Sequence, residues 1–190
     1  MISAIFLAAG QSKRLLKENK LLKIYKKKPL INHSLQPIIK SKIGKIIIVI
    51  GFEKNRLKKT IIKSKKITFI FNKNYKKGMS SSIKCGLKKI TKKNKGFIIV
   101  QSDMPFIKTK HINKICSSIL KKKYLIHALK FRNTIGNPIG FDISILNKFK
   151  KIKGEYGAKF MVKRLKNETN FIKVSSGRIF KDFDLKKDFN

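Results

Sequence analysis

The sequence predicts an α/β fold built on a mostly parallel central sheet, in a single domain that covers residues 1–190. Apolar runs of strand length recur along the first two thirds of the chain and alternate with stretches of helix length. Continuous apolar runs of this kind are typical of parallel strands buried on both faces of a sheet. The 190 residues suit one sizeable core, and 42% hydrophobic residues with only 11 Gly and 4 Pro argue against disorder.

The expected elements alternate regularly at first. Strands are expected at Ile2–Leu7, Lys45–Ile50, Ile67–Phe71 and Phe97–Val100. Several expected helices begin with Pro or a hydroxyl residue near the first turn, which favours helix initiation. These helices are Pro29–Lys42, Lys54–Ser64, Ser80–Lys92 and Thr109–Lys122.

The last third of the chain has a different pattern. A strand is expected at Tyr124–Lys130, and the Gly- and Pro-containing segment 135–141 is expected to be a loop or a bent edge strand that could return antiparallel. A helix is expected at Ile143–Lys150, and another follows Gly157 and ends near residue 165. A final strand at Phe171–Val174 precedes an acidic tail.

The formal net charge of +39 would ordinarily indicate nucleic acid or an anionic membrane as a partner. The excess is nearly all Lys, however, and it is spread over every segment together with abundant Ile and Asn, whereas RNA-binding faces more often cluster Arg and aromatic residues. Lys, Ile and Asn share A/T-rich codons, so genome composition explains the pattern. A nucleic-acid-binding module is therefore the less favoured alternative, although such a charge must still attract phosphorylated substrates.

The sequence shows no export signal and no run of membrane-spanning length. Cys85 and Cys116 lack the spacing of a metal site and are expected to be reduced thiols. We therefore expect a cytoplasmic protein that does not associate with a membrane.

The segment after the first strand has the composition of a phosphate-binding loop. Small residues at positions 8–10 let backbone N–H groups approach an anion, and Arg14 and Lys20 add positive charge where a triphosphate would lie. A Gly after a buried strand is often a plain turn, so the prediction depends on a second feature near residue 100. The candidate phosphate-binding residues are Leu7, Ala8, Ala9, Gly10, Gln11, Ser12 and Lys20.

Asp103 is predicted to lie at the carboxyl end of a central strand, because it follows the apolar run 97–100. Ligands of open α/β sheets bind beyond these strand ends. A lone carboxylate there suits Mg²⁺ that is held jointly with substrate phosphates, since Mg²⁺ takes only one or two protein carboxylates. The alternative is that Asp103 caps the next helix.

The tail contains a candidate second carboxylate. The chain has only nine acidic residues, so their positions are informative. Asp182 and Asp184 lie on one face if the tail is extended, and Asp184 is then a second candidate metal ligand. A solvated, frayed terminus explains these residues equally well.

Three consecutive serines, Ser80, Ser81 and Ser82, follow Gly78 where a strand leads into a helix. A helix start offers N–H donors, and the hydroxyl groups could bind a base, a ribose or a phosphate. Capping explains one Ser rather than three, so all three are candidate nucleotide-binding residues. No Ser/His/Asp, Cys/His or zinc pattern occurs in the sequence, and the three His residues are expected to be structural.

Together these segments resemble the molybdenum cofactor cytidylyltransferase branch of the MobA-like nucleotidyltransferases. The resemblance extends from residue 7 to residue 188 and rests on LAAGQSKRLLKENKLL, NYKKGMSSSIKCGL, QSDMP, GNPIGF, GEYGAKF and DFDLKKD. It implies a Rossmann-like three-layer nucleotidyltransferase fold. It also implies transfer of a nucleotidyl group to a phosphorylated acceptor with release of pyrophosphate.

The resemblance also implies roles for particular residues. The Leu7–Arg14 loop and Lys20 would hold the nucleoside triphosphate and Asp103 would hold Mg²⁺, so Arg14, Lys20 and Asp103 are the expected catalytic residues. LAAG resembles the branch that uses CTP, the implied acceptor is molybdopterin, and a molybdoenzyme could receive the product. A sugar phosphate or another phosphorylated metabolite is the alternative acceptor. Two departures from the family pattern are Leu15-Leu16 in place of Met-Gly and the tail DFDLKKD in place of DIDTPED.

Overall fold

The strands and helices alternate as the sequence predicts. The computed structural model describes residues 1–12 and 18–189. The strands are β1 (Ile2–Ala8), β2 (Ile24–Tyr25), β3 (Lys28–Pro29), β4 (Lys45–Ile50), β5 (Ile67–Phe71), β6 (Gly96–Gln101), β7 (Ile126–Phe131), β8 (Thr134–Asp142) and β9 (Thr169–Lys173). The α-helices are α1 (Leu30–Ile39), α2 (Lys54–Thr60), α3 (Met79–Leu87), α4 (Thr109–Leu120) and α5 (Ala158–Arg164).

Within the described residues, seven strands form one sheet in the order β5-β4-β1-β6-β8-β7-β9. β1 lies between β4 and β6 and is parallel to both, and β5 extends the parallel set beyond β4. β8 runs antiparallel to its neighbours β6 and β7, while β9 is parallel to β7. The predicted mostly parallel sheet is confirmed, and β2 and β3 form a separate antiparallel ribbon.

The prediction of a loop or edge strand at 135–141 is wrong, because this segment forms most of the interior strand β8. Ala128 of β7 pairs with Ile139, but the next residue pairs with Gly136, so Asn137 and Pro138 bulge out of the ladder. A bulge tolerates a Pro inside a sheet, because Pro has no N–H to donate. The antiparallel direction is as expected.

The predicted helices extend too far at their carboxyl ends. α2 ends at Thr60 rather than at residue 64, because the backbone of Ile61 is extended and its side chain is buried in the core. The segment Ile143–Lys151 is a 3₁₀ helix, begun by a hydrogen bond from the Ser144 N–H to the Asp142 carboxylate. The Lys-rich sequence keeps its helical propensity past these points, and tertiary contacts determine where the helices stop.

Two apolar layers cover the two faces of the sheet. Ala4, Phe6, Ile46 and Ile48 share one layer with residues of α1, α2 and α4. The alternate positions of the same strands face the other layer, with residues of α3 and α5. The fold therefore has the predicted three layers. No helix in the described parts of the chain is both long and apolar enough to cross a membrane.

Candidate functional site

A cleft of about 430 Å³ opens beside the carboxyl ends of β1 and β6. Its walls come from the segment after β1, the segment that enters α3, the residues after β6 and the tail. Because β1 and β6 are parallel neighbours, their carboxyl ends lie at the same edge of the sheet. Gly10 and Asp103, which the sequence predicts to cooperate, line this one cleft.

The predicted phosphate-binding loop forms one wall of the cleft. Ala8 is buried beneath the wall and does not line it. No atom lies within 4 Å of the position that a Cβ at Gly10 would take, so the backbone is open on that side. The Ser12 hydroxyl accepts the N–H of Lys20 at 3.1 Å and ties the loop to the next element. The loop residues that line the cleft are Leu7, Ala9, Gly10, Gln11 and Ser12. Arg14 lies outside the described residues.

Lys20 joins two carboxylates that come from distant parts of the chain. Its Nζ donates to Asp103 Oδ2 at 2.6 Å and to Asp184 Oδ1 at 2.5 Å. The Asn19 side chain accepts the N–H of Leu21 and caps the short 3₁₀ helix in which Lys20 lies. Three predicted site residues therefore form one ion-paired group.

Burial and the ion pairing act in opposite directions on the pKa values of Lys20 and Asp103. Burial alone would lower the pKa of Lys20, but Asp103 and Asp184 together raise it above its ordinary value. For Asp103, burial raises the pKa, the ammonium of Lys20 opposes that change, and the neighbouring charge of Asp182 adds to it. Burial is the largest effect on both groups; the two carboxylates outweigh it at Lys20, whereas the ammonium of Lys20 does not outweigh it at Asp103, so the pKa of Asp103 is raised as well.

The tail is docked against the body of the protein. Phe183 is 1% exposed, and its N–H donates to the carbonyl oxygen of Asp103 at 3.0 Å. Asp182 and Asp184, on either side of it, both line the cleft, as an extended tail predicts. The Asp188 carboxylate accepts the Asp184 N–H at 2.9 Å and stiffens the turn that follows. The ring of Phe183 contacts Tyr25, Phe106 and Phe189.

The two carboxylates are suited to a divalent cation. Oδ1 of Asp103 is buried and has no hydrogen-bond partner among the described residues. Oδ2 of Asp103 and Oδ1 of Asp184 converge on a single cationic point, at present the ammonium of Lys20. Oxygen ligands of this kind are those that Mg²⁺ prefers, and one or two carboxylates suffice when substrate phosphates complete the coordination.

The three predicted serines do not act alike. Ser82 lines the cleft, whereas Ser80 and Ser81 are not among its lining residues. The backbone N–H of Ser80 donates to the Gly154 carbonyl at 3.0 Å. The hydroxyl of Ser81 lies 2.8 Å from the carbonyl oxygens of Asn74 and Gly78, within the loop that precedes α3. The structure therefore brings one of the three hydroxyls to the cleft.

Glu155 lines the cleft, although no motif in the sequence assigns it to the site. Its carboxylate accepts the N–H of Met79 at 3.2 Å, so N–H groups expected to be available at the start of α3 already have partners. Gly78 has a φ of 91°, and a Cβ there would meet the Gly154 carbonyl group at 2.7 Å. The signal available in the sequence was a scarce carboxylate between two glycines. Asp182, which the sequence places on one face with Asp184, also lines the cleft, and so does Tyr75, which no motif indicates.

Residues 4–169 match the family model described as MobA-like NTP transferase domain. The 2-C-methyl-D-erythritol 4-phosphate cytidylyltransferase of Lachnoclostridium phytofermentans is 31% identical over 140 residues, which are 70% of this chain and 58% of that protein. The bifunctional protein GlmU of Caldicellulosiruptor saccharolyticus is 28% identical over 142 residues, which are 72% of this chain and 29% of that protein. The chain thus spans less than two thirds of either relative.

Solved structures share the fold at low sequence identity. Rv0371c from Mycobacterium tuberculosis superposes with a TM-score of 0.86 at 16% identity, over 99% of this chain and 95% of that one. A complex of Rv0371c with manganese gives a TM-score of 0.76 at 15% identity, over 92% and 89% of the two chains. A nucleotidyl transferase from Methanothermobacter thermautotroptrophicus gives 0.80 at 15% identity, over 100% and 94%.

Proposed function

Since this chain belongs to the MobA-like NTP transferase domain family, we propose that it transfers CMP from CTP to a phosphorylated acceptor and releases pyrophosphate. The observation that carries this proposal is the single cleft shared by segment 7–12, Lys20 and Asp103. A backbone cradle, a buried ammonium and converging carboxylates are the groups that a metal-bound triphosphate requires. The relative named as a cytidylyltransferase supports the choice of CTP.

In the proposed reaction an oxygen of the acceptor phosphate attacks the α-phosphorus in line. A new P–O bond forms, the bond from the α-phosphorus to the bridging oxygen breaks, and pyrophosphate leaves with the electron pair. Segment 7–12 binds the β- and γ-phosphates through its backbone N–H groups, and Lys20 and Arg14 stabilise the charge that develops on pyrophosphate. A phosphate monoester is already nucleophilic near neutral pH, so positioning rather than a general base contributes most of the catalysis.

Asp103 and Asp184 would hold a divalent cation, Mg²⁺ in our proposal, and the manganese complex of a structural neighbour is in line with a metal of this class. A bound cation of this type neutralises phosphate charge. Lys20 then contributes its ammonium to the phosphates instead of to the carboxylates. In this proposal Ser82 contacts the nucleoside, the Ser81 hydroxyl holds the loop before α3 in place, and the backbone N–H of Ser80 joins the start of α3 to Gly154.

Molybdopterin is the acceptor that we propose first, with a molybdoenzyme as the recipient of the product. The family match and the motifs GMSSSI, GNPIGF and GEYGAKF support it. The net charge of +39 suits an acceptor that carries a phosphate. We also propose a cytoplasmic location, where unpaired thiols such as Cys85 and Cys116 persist.

A polyol or sugar phosphate is the second candidate acceptor. The specific observation in its favour is the 31% identity, over 70% of this chain, to a protein named for 2-C-methyl-D-erythritol 4-phosphate. Both candidates present a phosphate monoester to the same cleft, so they share the mechanism and differ only in the group attached to the phosphate.

Pyrophosphate release by the purified chain tests the proposal. Each of the four nucleoside triphosphates is supplied with Mg²⁺ and with molybdopterin, 2-C-methyl-D-erythritol 4-phosphate or a panel of sugar phosphates. We expect CTP and one acceptor class to give turnover. Turnover with GTP alone would contradict the assignment of CTP, and no turnover with any pair would overturn the transferase proposal.

Asp103→Ala is the decisive variant in this assay. We expect it to abolish Mg²⁺-dependent turnover and to leave the circular dichroism spectrum unchanged. Asp142→Ala is the matched control, because Asp142 also ends a strand but caps the 3₁₀ helix that follows β8. Near-normal pyrophosphate release by Asp103→Ala would refute the role of Asp103.

A further inference from the structure

We propose that Asn72 is a positioning residue that makes Ser82 present its hydroxyl proton to the nucleotide. The inference rests on the proposed function, since it takes a nucleoside triphosphate as the ligand of the cleft. Asn72 does not itself line the cleft. Through it, Ser82 becomes the donor of one hydrogen bond between protein and nucleotide.

The orientation of the Asn72 amide is set by its surroundings. Asn72 is 4% exposed and follows β5, where its backbone N–H donates to the Ile50 carbonyl at 2.9 Å. Its Oδ1 accepts the N–H of Asn74 at 3.0 Å. A backbone N–H can only donate, so the atom that faces Asn74 must be the amide oxygen. The amide nitrogen is therefore directed to the other side, toward α3.

That nitrogen determines what the neighbouring hydroxyls can do. Nδ2 of Asn72 donates to Ser82 Oγ at 3.0 Å and to Ser81 Oγ at 2.9 Å. An amide NH₂ has no lone pair to offer, so both hydroxyls must direct their own protons elsewhere. Ser81 has the carbonyl oxygens of Asn74 and Gly78 within 2.8 Å as acceptors.

Ser82 is in a different position from Ser81. It is 6% exposed and lines the cleft. Its hydroxyl oxygen accepts from Asn72, and its proton has no acceptor among residues 1–12 and 18–189. A buried hydroxyl that accepts a bond and still has a proton to donate is suited to a ligand atom with a lone pair. The geometry thus makes Ser82 a hydrogen-bond donor toward the cleft.

The chemical class of the ligand group follows from this polarity. Phosphates are expected at segment 7–12 and Lys20, which leaves the nucleoside for Ser82. Its partner is an uncharged acceptor atom, either a carbonyl oxygen or ring nitrogen of the base, or an oxygen of the ribose. Comparing CTP with 2′-deoxy-CTP separates a contact to the 2′-hydroxyl from a contact to the base.

Asn72→Asp reverses the direction of the hydrogen bond between residue 72 and Ser82 and changes the shape of the side chain very little. One carboxylate oxygen still accepts the Asn74 N–H, but the other replaces the donor and accepts the Ser82 proton instead. We expect Asn72→Asp and Ser82→Ala each to raise the KM for CTP by about fivefold to twentyfold, the range of one lost hydrogen bond. We expect kcat to change by less than about threefold, because neither side chain touches the reacting phosphates.

A double-mutant cycle separates this role from a general effect of the added charge. If Asn72 acts through the Ser82 hydroxyl, the double variant raises KM little more than Asn72→Asp alone. Asn94→Asp is the matched control, because Asn94 is also buried and donates to a serine, Ser3, at 2.7 Å, at the amino end of the sheet. It adds the same charge away from the cleft, and we expect it to leave the KM for CTP unchanged.

The measurements are KM, kcat and CTP affinity by calorimetry, with melting temperature as the check on folding. Additive effects of Asn72→Asp and Ser82→Ala, or an unchanged KM in Ser82→Ala, would overturn the inference while normal wild-type turnover sustains the proposed function. If the wild-type chain binds no nucleoside triphosphate, both are overturned together.

Discussion

At the scale of single residues, Lys20 is the point where distant parts of the chain meet. It pairs with carboxylates that lie 83 and 164 positions away in the sequence. The divalent cation that we propose would need the same carboxylate oxygens that the ammonium now contacts. In the absence of nucleotide, Lys20 and this cation would therefore compete for one place.

Lys20→Met tests this competition, since it keeps the apolar stem and removes the charge. We expect turnover with CTP to fall about 100-fold or more, the usual contribution of one preorganised donor to a transition state. We also expect Mn²⁺ to raise the melting temperature of Lys20→Met by more than that of wild type, because the cation no longer has to displace the Lys20 ammonium from Asp103 and Asp184. Scanning fluorimetry with and without MnCl₂ measures the second effect.

Lys23→Met is the control for that variant, because Lys23 forms a more exposed ion pair with Glu18. We expect it to change neither turnover nor the response to Mn²⁺ appreciably. Equal Mn²⁺ shifts in wild type and Lys20→Met would contradict the proposed competition.

Some residues of the site are indicated by the neighbouring sequence, whereas others depend on contacts between distant parts of the chain. Gly10 and Asp103 could be found from the sequence because each follows a buried strand, and parallel strands bring their carboxyl ends to one edge. Glu155 could not, because its place depends on the close approach of two loops at Gly78 that lie far apart in the chain. The role of Asn72 depends on the direction of an amide, which only its neighbours determine.

At the scale of elements, the docked tail is held mainly by one ring. Phe183→Ala removes a fully buried side chain, a change that costs about 3–5 kcal/mol where the structure cannot relax. Because the tail can detach locally, we expect a small fall in melting temperature, a higher Mg²⁺ requirement for turnover and faster tryptic cleavage within 181–187. Leu185→Ala is the control, since Leu185 is 43% exposed. An unchanged Mg²⁺ requirement in Phe183→Ala would show that the tail does not hold a metal ligand.

The packing of α4 on the sheet contains a buried histidine. His127 of β7 is 0% exposed, and its Nδ1 lies 2.7 Å from the Ser118 hydroxyl of α4, which also accepts from Asn170 of β9. Burial lowers the pKa of His127 to about 4, against smaller opposing effects of the Tyr124 backbone and Asp142. The imidazole is therefore neutral in the folded protein near neutral pH.

This histidine should make the fold sensitive to acid. Between about pH 6.5 and pH 4, His127 is protonated in the unfolded chain but stays neutral in the folded chain. The free energy of unfolding therefore falls as pH falls. We expect His127 to contribute about 3 kcal/mol to this loss. Urea unfolding at pH 7 and pH 4.5 measures it, and His127→Asn should show a weaker pH dependence. Parallel pH profiles for the two proteins would contradict the assignment.

Strands were more predictable than helix ends or sheet position. A run such as Lys45–Ile50 is apolar on both faces and fits only a buried strand, and the structure has it with the same bounds. The sequence of β8 contains Gly and Pro, which usually mark an edge, and its interior place depends on a bulge and on close packing by α4. Such long-range contacts leave no periodic signal in the sequence.

At the scale of the whole molecule, the charge of +39 should act on every anionic ligand. Raising the ionic strength from 0.1 M to 1 M shortens the screening length from about 10 Å to about 3 Å. We therefore expect the KM for CTP to rise severalfold across this range. The inhibition constant of cytidine, which is uncharged, is the control and should change little. Equal salt dependence for the two compounds would exclude long-range attraction.

Because of the same positive charge, nucleic-acid binding is the alternative function. That function predicts tight, strongly salt-dependent binding of oligonucleotides that Asp103→Ala does not alter. The transferase proposal predicts instead CTP turnover that Asp103→Ala abolishes, without tight binding of oligonucleotides. Fluorescence anisotropy with a labelled oligonucleotide distinguishes the two.

The pairing of Lys20 with Asp184 also has a consequence for biosynthesis. Translation starts at the amino end, so the glycine loop and Asp103 are synthesised well before the tail. Until then Lys20 has one anionic partner instead of two. We expect pulse-labelling hydrogen exchange during refolding to find the amide of Phe183 protected after those of β1 and β6. Completion of the candidate cleft would then be among the last steps of folding.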